Sequence, residues 1–403
     1  MSRIFVDYLG QRVGALADAR GGIFFEYDRG FIATGHELSP FALPLGPGVL
    51  SRETPASMRL CGLFEDALPD LWGRRVLTEG FRQRGIPELA VTPMMMLAAV
   101  GHRAIGALTF EPELELEHGP AGFSLAELHV AAQRAEQHGK IDLSVLAEVG
   151  SSAGGARPKA LIGIHRQDPA QIVAGASHLP ADFDAWIVKF DTSDDAASGP
   201  LEEAYASMAR TAGIDVPETR LLETRHGGQV RRHFAVRRFD RKENRRIHYH
   251  SLAGLRQVGG GDLDYATFLA TTRALTRDDR EVWRAYRRAV FNVLASNRDD
   301  HGKNHGFLYR DREWRLAPAF DLTFASPQRL PERGMAVVGE RRLASREHLR
   351  QLAHSASLDR AKAVEIIDQV SSVVARWAEF AQEAKVPALP AAEIGTVVAK
   401  LVG

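Results

Sequence analysis

The stretch Asn297-Arg298-Asp299-Asp300-His301-Gly302-Lys303-Asn304 decides how the rest of the chain is read. It follows a long apolar helical pattern over Glu281–Ala295 and precedes a short hairpin, Phe307-Leu308-Tyr309 and Trp314-Arg315-Leu316. Phosphoryl transfer needs a carboxylate beside the acceptor hydroxyl, and an amide or carboxylate oxygen that holds Mg²⁺ against the nucleotide phosphates. The kinase spacing for that pair is Asp-x-x-x-x-Asn, which Asp299 and Asn304 reproduce, with Arg298 standing before the aspartate. A second metal carboxylate is needed after the hairpin, and Ala317-Pro318-Ala319-Phe320-Asp321 supplies it as Asp321. Two blander readings stay open. Asn and Asp are turn formers that cap helix ends. His301 and His305 have the i, i+4 spacing of a zinc pair, although Gly302 and Gly306 argue for a loop where such a pair needs a helix.

Upstream lies Gly150-Ser151-Ser152-Ala153-Gly154-Gly155, a turn flexible enough to bring backbone N–H groups up to phosphates. It is neither Gly-x₄-Gly-Lys-[Ser/Thr] nor Gly-x-Gly-x-x-Gly, since Arg157-Pro158-Lys159 follows, and a plain loop is the alternative. Lys189 sits inside an apolar strand, Trp186-Ile187-Val188-Lys189-Phe190. A lysine there is costly unless paired or at an edge. It either meets nucleotide phosphates, with Glu202 or Glu203 of the next helix as partner, or simply faces outward between Asp184 and Asp191. Phe239, in Val236-Arg237-Arg238-Phe239-Asp240, ends the last strand before the helical half, where a kinase holds adenine. It packs either on a base or on the core.

The remaining pattern is mixed. Ile4–Leu9 and Gly22–Tyr27 read as strands bounded by Gly or Asp. Leu71, Val76, Leu77 and Phe81 recur at helical spacing after Pro69-Asp70. Ala104–Phe110 reads as a returning strand, and the acidic stretch 112–122 as a linker. Ser124 with Glu127 predicts a capping box opening a helix to Gln137. Strands are expected at Ala160–Ile164, Ala185–Phe190, Thr219–Leu222 and Phe234–Val236, and helices at Leu201–Ala212, Tyr265–Leu275 and from about Ser345 onward. The fold class is therefore α/β (α+β): a mixed N-terminal subdomain over 1–115, a lobe with the Gly-rich turn and the lysine over 116–242, and a mainly helical lobe with the polar loop over 243–403. That is the layout of a two-lobed kinase.

The 403 residues are 45% hydrophobic and 25% charged, an ordinary globular balance, and Lys+Arg equals Asp+Glu at 51 each. A chain that grips DNA by itself usually carries a basic excess, so none is indicated. The runs Arg231-Arg232, Arg237-Arg238 and Arg245-Arg246 read as solvated edges first and as a phosphate surface second. The single cysteine, Cys61, excludes a disulfide framework and a multi-cysteine zinc site, and reads as a small buried residue. The N-terminus lacks a signal-peptide pattern. No apolar run approaches the ~18–20 residues that span a bilayer, so no membrane is involved and a cytoplasmic location is expected.

Ser152-Ala153-Gly154-Gly155-Ala156-Arg157-Pro158-Lys159 together with Asn297–Asn304 strongly resembles the paired signatures of HipA-type toxin kinases. Gly62-Leu63-Phe64-Glu65-Asp66-Ala67-Leu68-Pro69-Asp70, with Trp72-Gly73-Arg74, looks like that family's N-terminal signature, and Leu97–Gly101 and Gly106–Leu108 fit the same region. The resemblance runs in order along nearly the whole chain. It implies a divergent two-lobed serine/threonine kinase fused to an N-terminal subdomain. Such a kinase uses ATP and Mg²⁺ to phosphorylate a serine of a protein target, in the best-known case an aminoacyl-tRNA synthetase, and so favours dormancy. It implies Asp299 as base, Asn304 and Asp321 as Mg²⁺ ligands, Lys189 on the phosphates and His301 supporting the loop. Ser152, Ala153, Gly154 and Gly155 would form the ATP-binding turn, with Arg237 and Phe239 at the adenine. Arg237 replaces the acidic residue often found there, so its backbone rather than its side chain would make the contact. Ser152 falls at an inhibitory autophosphorylation site, with Ser151 one residue away. The implied partner is a small helix-turn-helix, HipB-like antitoxin, through which alone the chain would meet DNA. A small-molecule phosphotransferase would use the same Asp299/Asn304/Asp321 set, and a non-catalytic antitoxin-binding scaffold is a third class.

Overall fold

The computed structural model describes residues 3–19, 22–50, 58–114, 124–139, 141–142, 157–175, 179–226, 228–243, 245–259 and 261–403. The linker at 112–122 and the Gly-rich turn at 150–155 thus lie wholly or mostly outside the described residues. The chain divides into two compact units, one of Met1–Thr192, Leu222–His250 and Gly254–Gln257, the other of Ser193–Leu221, Ser251–Ala253 and Val258–Gly403.

The first unit holds two antiparallel-built sheets. Strands β1 (Arg3–Tyr8), β2 (Gln11–Ala19), β3 (Gly22–Tyr27), β4 (Val49–Leu50) and β5 (Leu108–Glu111) form one sheet in the order β4-β3-β2-β1-β5. Ile4 pairs with Leu16 and Leu16 with Phe25, so alternate residues bury one face, as a period of two requires. Strand β2 is absent from the sequence reading: Gly14, Ala15 and Ala17 dilute its alternation. The returning strand starts later than Ala104, because Gly101–Arg103 is a 3₁₀ turn. The helix Leu71–Gln83 forms as expected and buries Trp72, Val76, Leu77 and Phe81, while Leu71 stays exposed. The helix Leu125–His138 carries the expected Ser124/Glu127 capping box.

The second sheet comprises β6 (Lys159–His165), β7 (Ile172–Ala174), β8 (Phe183–Lys189), β9 (Thr219–His226) and β10 (Gln229–Arg237) in the order β7-β6-β8-β10-β9. One face, with Ala160, Ile162, Ile164, Trp186, Val188 and Ala235, joins Trp72, Val76, Leu128, Ala131, Ala132 and Ala135 in a core cluster. Trp72 also donates its indole N–H to the Lys159 carbonyl at 3.0 Å. Truncating such a tryptophan usually costs ~3–5 kcal/mol, so the N-terminal signature is bonded into this sheet rather than appended to it.

The signature Gly62–Asp70 explains itself here. A Cβ on Gly62 would lie 1.9 Å from the Gly254 carbonyl oxygen, a backbone approach open only to glycine. Glu65 accepts from the amides of Arg59 and Leu60, both at 3.0 Å. Asp66 meets His250 Nδ1 at 2.6 Å, and His250 Nε2 meets Ser39 Oγ at 2.9 Å. Ser39 is fully buried, so this relay ties segments together and has no access to a substrate. Cys61 is half-buried rather than buried, with Gln257 Nε2 at 3.3 Å from its sulfur.

Two members of the basic runs, Arg238 and Arg246, need correction, while Arg245 is exposed as expected. Arg238 is buried and forks onto Asp240 at 2.9 and 2.7 Å. Arg246 donates to the carbonyls of His102, Ala104, Gly106 and Leu108 at 2.6, 2.7, 3.0 and 3.2 Å. Arg241 adds bonds to Asp240 and to the Ala104 and Gly106 carbonyls. These arginines are internal staples, not solvated edges. Burial draws the Arg246 pKa down to about 10, while the Arg238 and Arg241 charges hold Asp240 well below the usual carboxylate range against its own burial.

The second unit is mainly helical. Tyr265–Thr276 and Asp279–Leu294 start at Asp264 and Asp278, whose carboxylates accept from Ala266 N and Arg280 N. The longer helix buries Val282, Ala285, Tyr286, Ala289, Val290, Val293 and Leu294, the stripe of a helix against a core. The hairpin Gly306–Arg310 and Glu313–Leu316 follows, and from Arg346 the chain is helical to Val402. The helix Ser198–Thr211 begins three residues before its expected start at Leu201. Among the described residues no helix is long and apolar enough to cross a membrane.

Candidate active site

The polar loop is built by the end of the helix Asp279–Leu294. Ser296 turns left-handed at φ 52°, and Asn297 N returns to the Asn292 carbonyl at 3.0 Å, which stops the helix without a glycine. The next residues split two neighbouring acids into different roles. The Asp299 side chain is 60% exposed and lies 3.8 Å from His301 Nε2. Asp300 is 1% exposed and fully engaged, accepting from Tyr265 OH at 2.7 Å and Arg333 Nη2 at 2.8 Å. Asp299 is the acid presented outward. A 3₁₀ turn over Gly302–Asn304 brings Asn304 back, and its Nδ2 donates to the Asp299 carbonyl at 2.9 Å.

Asp321 follows on a stretch pinned at both ends to this loop. Ala317 N bonds the Gly306 carbonyl at 2.9 Å, and Ala325 N bonds the Ser296 carbonyl at 3.0 Å. Asp321 itself is left-handed at φ 54°, a conformation aspartate tolerates better than most residues. The structure therefore anchors Asp299, Asn304 and Asp321 on one braced assembly in the second unit. These are hard oxygen donors of the kind Mg²⁺ takes alongside substrate phosphates. No group of three or more His, Cys, Asp and Glu suited to a metal occurs among the described residues. The α-helical i, i+4 spacing of a zinc pair is not realised: His301 and His305 flank the 3₁₀ turn Gly302–Asn304, and His305 is 1% exposed, set against the Tyr265 and Phe268 rings at 5.7 and 4.6 Å.

In the first unit, Lys189 closes β8. It stands directly opposite Lys159 on β6 and Phe234 on β10, so these three share the sheet face away from the core cluster. The Lys189 ammonium lies 5.6 Å from the Phe234 ring centre. Lys159 is the residue the sequence reading passed over. Its side chain is 2% exposed, and its ammonium stands 3.9 Å from Asp70 Oδ2. The available signal was a lysine heading a wholly apolar strand straight after a Gly-rich turn. Of the proposed acidic partners of Lys189, Glu203 lies in the other unit, where it accepts from Thr219 at 3.0 Å. Arg237 pairs with Asp184 at 2.9 Å, and the Phe239 ring lies 5.8 Å from that of Tyr249. Ser152, Ala153, Gly154 and Gly155 lie outside the described residues.

The second unit thus presents a carboxylate-and-amide loop with a following aspartate, and the first unit a sheet carrying two lysines in register. Family models match both halves of the chain: the HipA N-terminal domain over residues 4–111 and the HipA-like C-terminal domain over residues 151–377. The chain belongs to the HipA family. It is 25% identical over 397 residues to the Sinorhizobium fredii protein named "Putative kinase Y4mE", covering 92% of this chain and 90% of that one. To "Putative kinase Y4dM" of the same organism it is 30% identical over 162 residues, spanning 38% of that protein's length. The fold matches HipA of Shewanella oneidensis MR-1, solved with HipB and operator DNA, at a TM-score of 0.71 and 17% identity over 99% of this chain and 95% of that one.

Proposed function

We propose that this chain is an ATP- and Mg²⁺-dependent serine/threonine kinase, the toxin of a toxin–antitoxin pair. The observation that supports it most is the division of labour at Asp299 and Asp300: one acid is consumed in the scaffold, and its neighbour is presented beside Asn304. Asp299 would orient the acceptor serine and take its proton, with His301 supporting the loop. Asn304 and Asp321 would hold Mg²⁺, which supplies charge neutralisation on the phosphates. Lys159, held 3.9 Å from Asp70 Oδ2, stands directly opposite Lys189 in the strand register, so two cations lie side by side on one sheet face. They would bind the nucleotide phosphates under the turn Ser152–Gly155, with Phe239 and the Arg237 backbone near adenine. The working division is 1–115, 116–242 and 243–403.

By likeness to the Shewanella complex, the partner would be a HipB-like antitoxin that carries the DNA contact, consistent with a net charge of zero. A protein substrate, such as an aminoacyl-tRNA synthetase, and inhibitory autophosphorylation at Ser152 complete the reading. Incubation of the purified chain with γ-labelled ATP, Mg²⁺ and a cell extract tests it. Label should enter serine of a protein, and mass spectrometry after long incubation should find phosphate on Ser152 with activity falling as it accumulates. Label confined to a small molecule would replace the protein-kinase reading with the small-molecule one. Phosphate on Ser151 alone would move the switch by one residue.

A further inference from the structure

We propose that Arg333 is a positioning residue for phosphoryl transfer, setting the Asn297–Asn304 loop without any phosphorylation of the segment after Asp321. The inference rests on the kinase reading above. Arg333 is 3% exposed. Its Nη2 lies 2.8 Å from the carbonyl oxygens of Asn292 and Asn297 and 2.8 Å from Asp300 Oδ2. It therefore grips the last turn of the helix, the first residue of the loop and the carboxylate one peptide away from Asp299.

The grip is closed by other groups. Tyr265 OH donates to Asp300 Oδ2 at 2.7 Å and accepts from Asn292 Nδ2 at 2.8 Å, while Asn297 Nδ2 donates to Asn292 Oδ1 at 3.0 Å. Met335 N reaches Asp300 Oδ1 at 3.3 Å. The residue after Arg333 touches the loop from its other side. Gly334 N donates to the Arg298 carbonyl at 2.8 Å, and a Cβ on Gly334 would lie 2.4 Å from His301 N. Arg298 in turn donates to the Leu330 carbonyl at 2.7 Å and the Arg342 carbonyl at 3.1 Å.

A buried ion pair is seldom a net gain in stability over a well-packed apolar pair, whereas its geometry is specific. Specific geometry is what a base and a metal ligand on one short loop need, since a displacement of ~1 Å can cost ~10²-fold in rate. Where phosphorylation orders a kinase segment, it does so by giving arginines a phosphate to pair with. Here Arg333 already holds two carbonyls and the Asp300 carboxylate, and Arg298 reaches from the loop to carbonyls of the segment after Asp321, so these contacts form without a phosphate.

The test uses the full chain, with Arg333→Lys keeping the charge but ending one bond short of the Nη2 position, Tyr265→Phe removing one bond to Asp300, and Asp299→Asn as control. Arg333→Lys should unfold near the wild-type urea midpoint and bind Mg²⁺–ATP within about threefold of wild type, while kcat falls on the order of 10²-fold. Amide exchange over residues 298–304 should quicken about tenfold or more. Tyr265→Phe should show the same pattern with a smaller loss, and it decides the matter if Arg333→Lys does not fold. Wild-type kcat per folded molecule with unchanged loop exchange in these variants would overturn the inference. So would a kcat loss no larger than the loss of folded protein. Failure of the kinase reading looks different: wild type itself would transfer no phosphate, or Asp299→Asn would match it.

Discussion

The loop Asn297–Asn304 and the lysine face of β6 and β8 are two halves of one proposed chemistry, yet they are held in opposite ways. The loop is clamped from behind by Arg333, Asp300 and Tyr265, all buried, and from the side by Gly334. The lysine face sets Lys159, with Asp70 Oδ2 at 3.9 Å, directly opposite Lys189. The loop is fixed by a network within its own unit. The sheet face brings two cations together on neighbouring strands, where a nucleotide's phosphates would add negative charge. Phosphoryl transfer asks for this asymmetry, because the base and the metal oxygens must be fixed beforehand while the phosphates arrive with the nucleotide.

Three changes test that contrast, in falling order of effect. Asp321→Ala removes a carboxylate from the loop side. A bound metal supplies several kcal/mol of charge stabilisation, so transfer should fall by about 10²–10⁴-fold. Nucleotide binding by calorimetry should also lose the gain that Mg²⁺ gives the wild type, and an unchanged Mg²⁺ effect would take the metal away from Asp321. Lys189→Met acts on the other half. Losing a charge-assisted bond to phosphate costs about 1.5–3 kcal/mol, roughly 10–100-fold in Kd for ATP. The urea midpoint should stay near that of the wild type. A variant that loses stability but keeps ATP affinity would show the lysine to be structural.

The smallest effect is a pH dependence of stability behind the lysine face. His233 Nδ1 accepts from Asp191 N at 3.0 Å, just past the end of β8, and burial draws its pKa down to about 3, as it does for His248. An unfolded chain takes up these protons near pH 6.5 and the folded one does not. Stability is therefore full above about pH 6.5 and falls as pH drops towards 3, by an amount on the order of a few kcal/mol for both histidines together. Urea titrations at pH 7 and pH 5 should show the drop, and His233→Gln should reduce it while His248 keeps its share. A midpoint independent of pH in the wild type would mean that neither histidine is held neutral.

What could be read from sequence was whatever is local. The Ser124 capping box and the stripe of the long helix are set within a few residues, and each took the expected form. What could not be read depends on partners far along the chain. Lys159 matters because the β6–β8 register puts it opposite Lys189, and nothing near Lys159 specifies that register. Arg333 binds an acid 33 positions earlier. Arg246 looks like half of an exposed basic pair until the carbonyls of His102–Leu108 are seen beneath it. Two adjacent aspartates, 299 and 300, differ in sequence only by their spacing to Asn304. Burial separates them in the structure.

That separation is the point on which the account stands, and Asp299→Asn measures it. The substitution keeps shape and removes the proton acceptor, so folding and Mg²⁺–ATP affinity should hold while single-turnover transfer to a protein serine slows by about 10²–10⁴-fold. Transfer at the wild-type rate by Asp299→Asn would contradict the assignment of the loop and the kinase mechanism built on it.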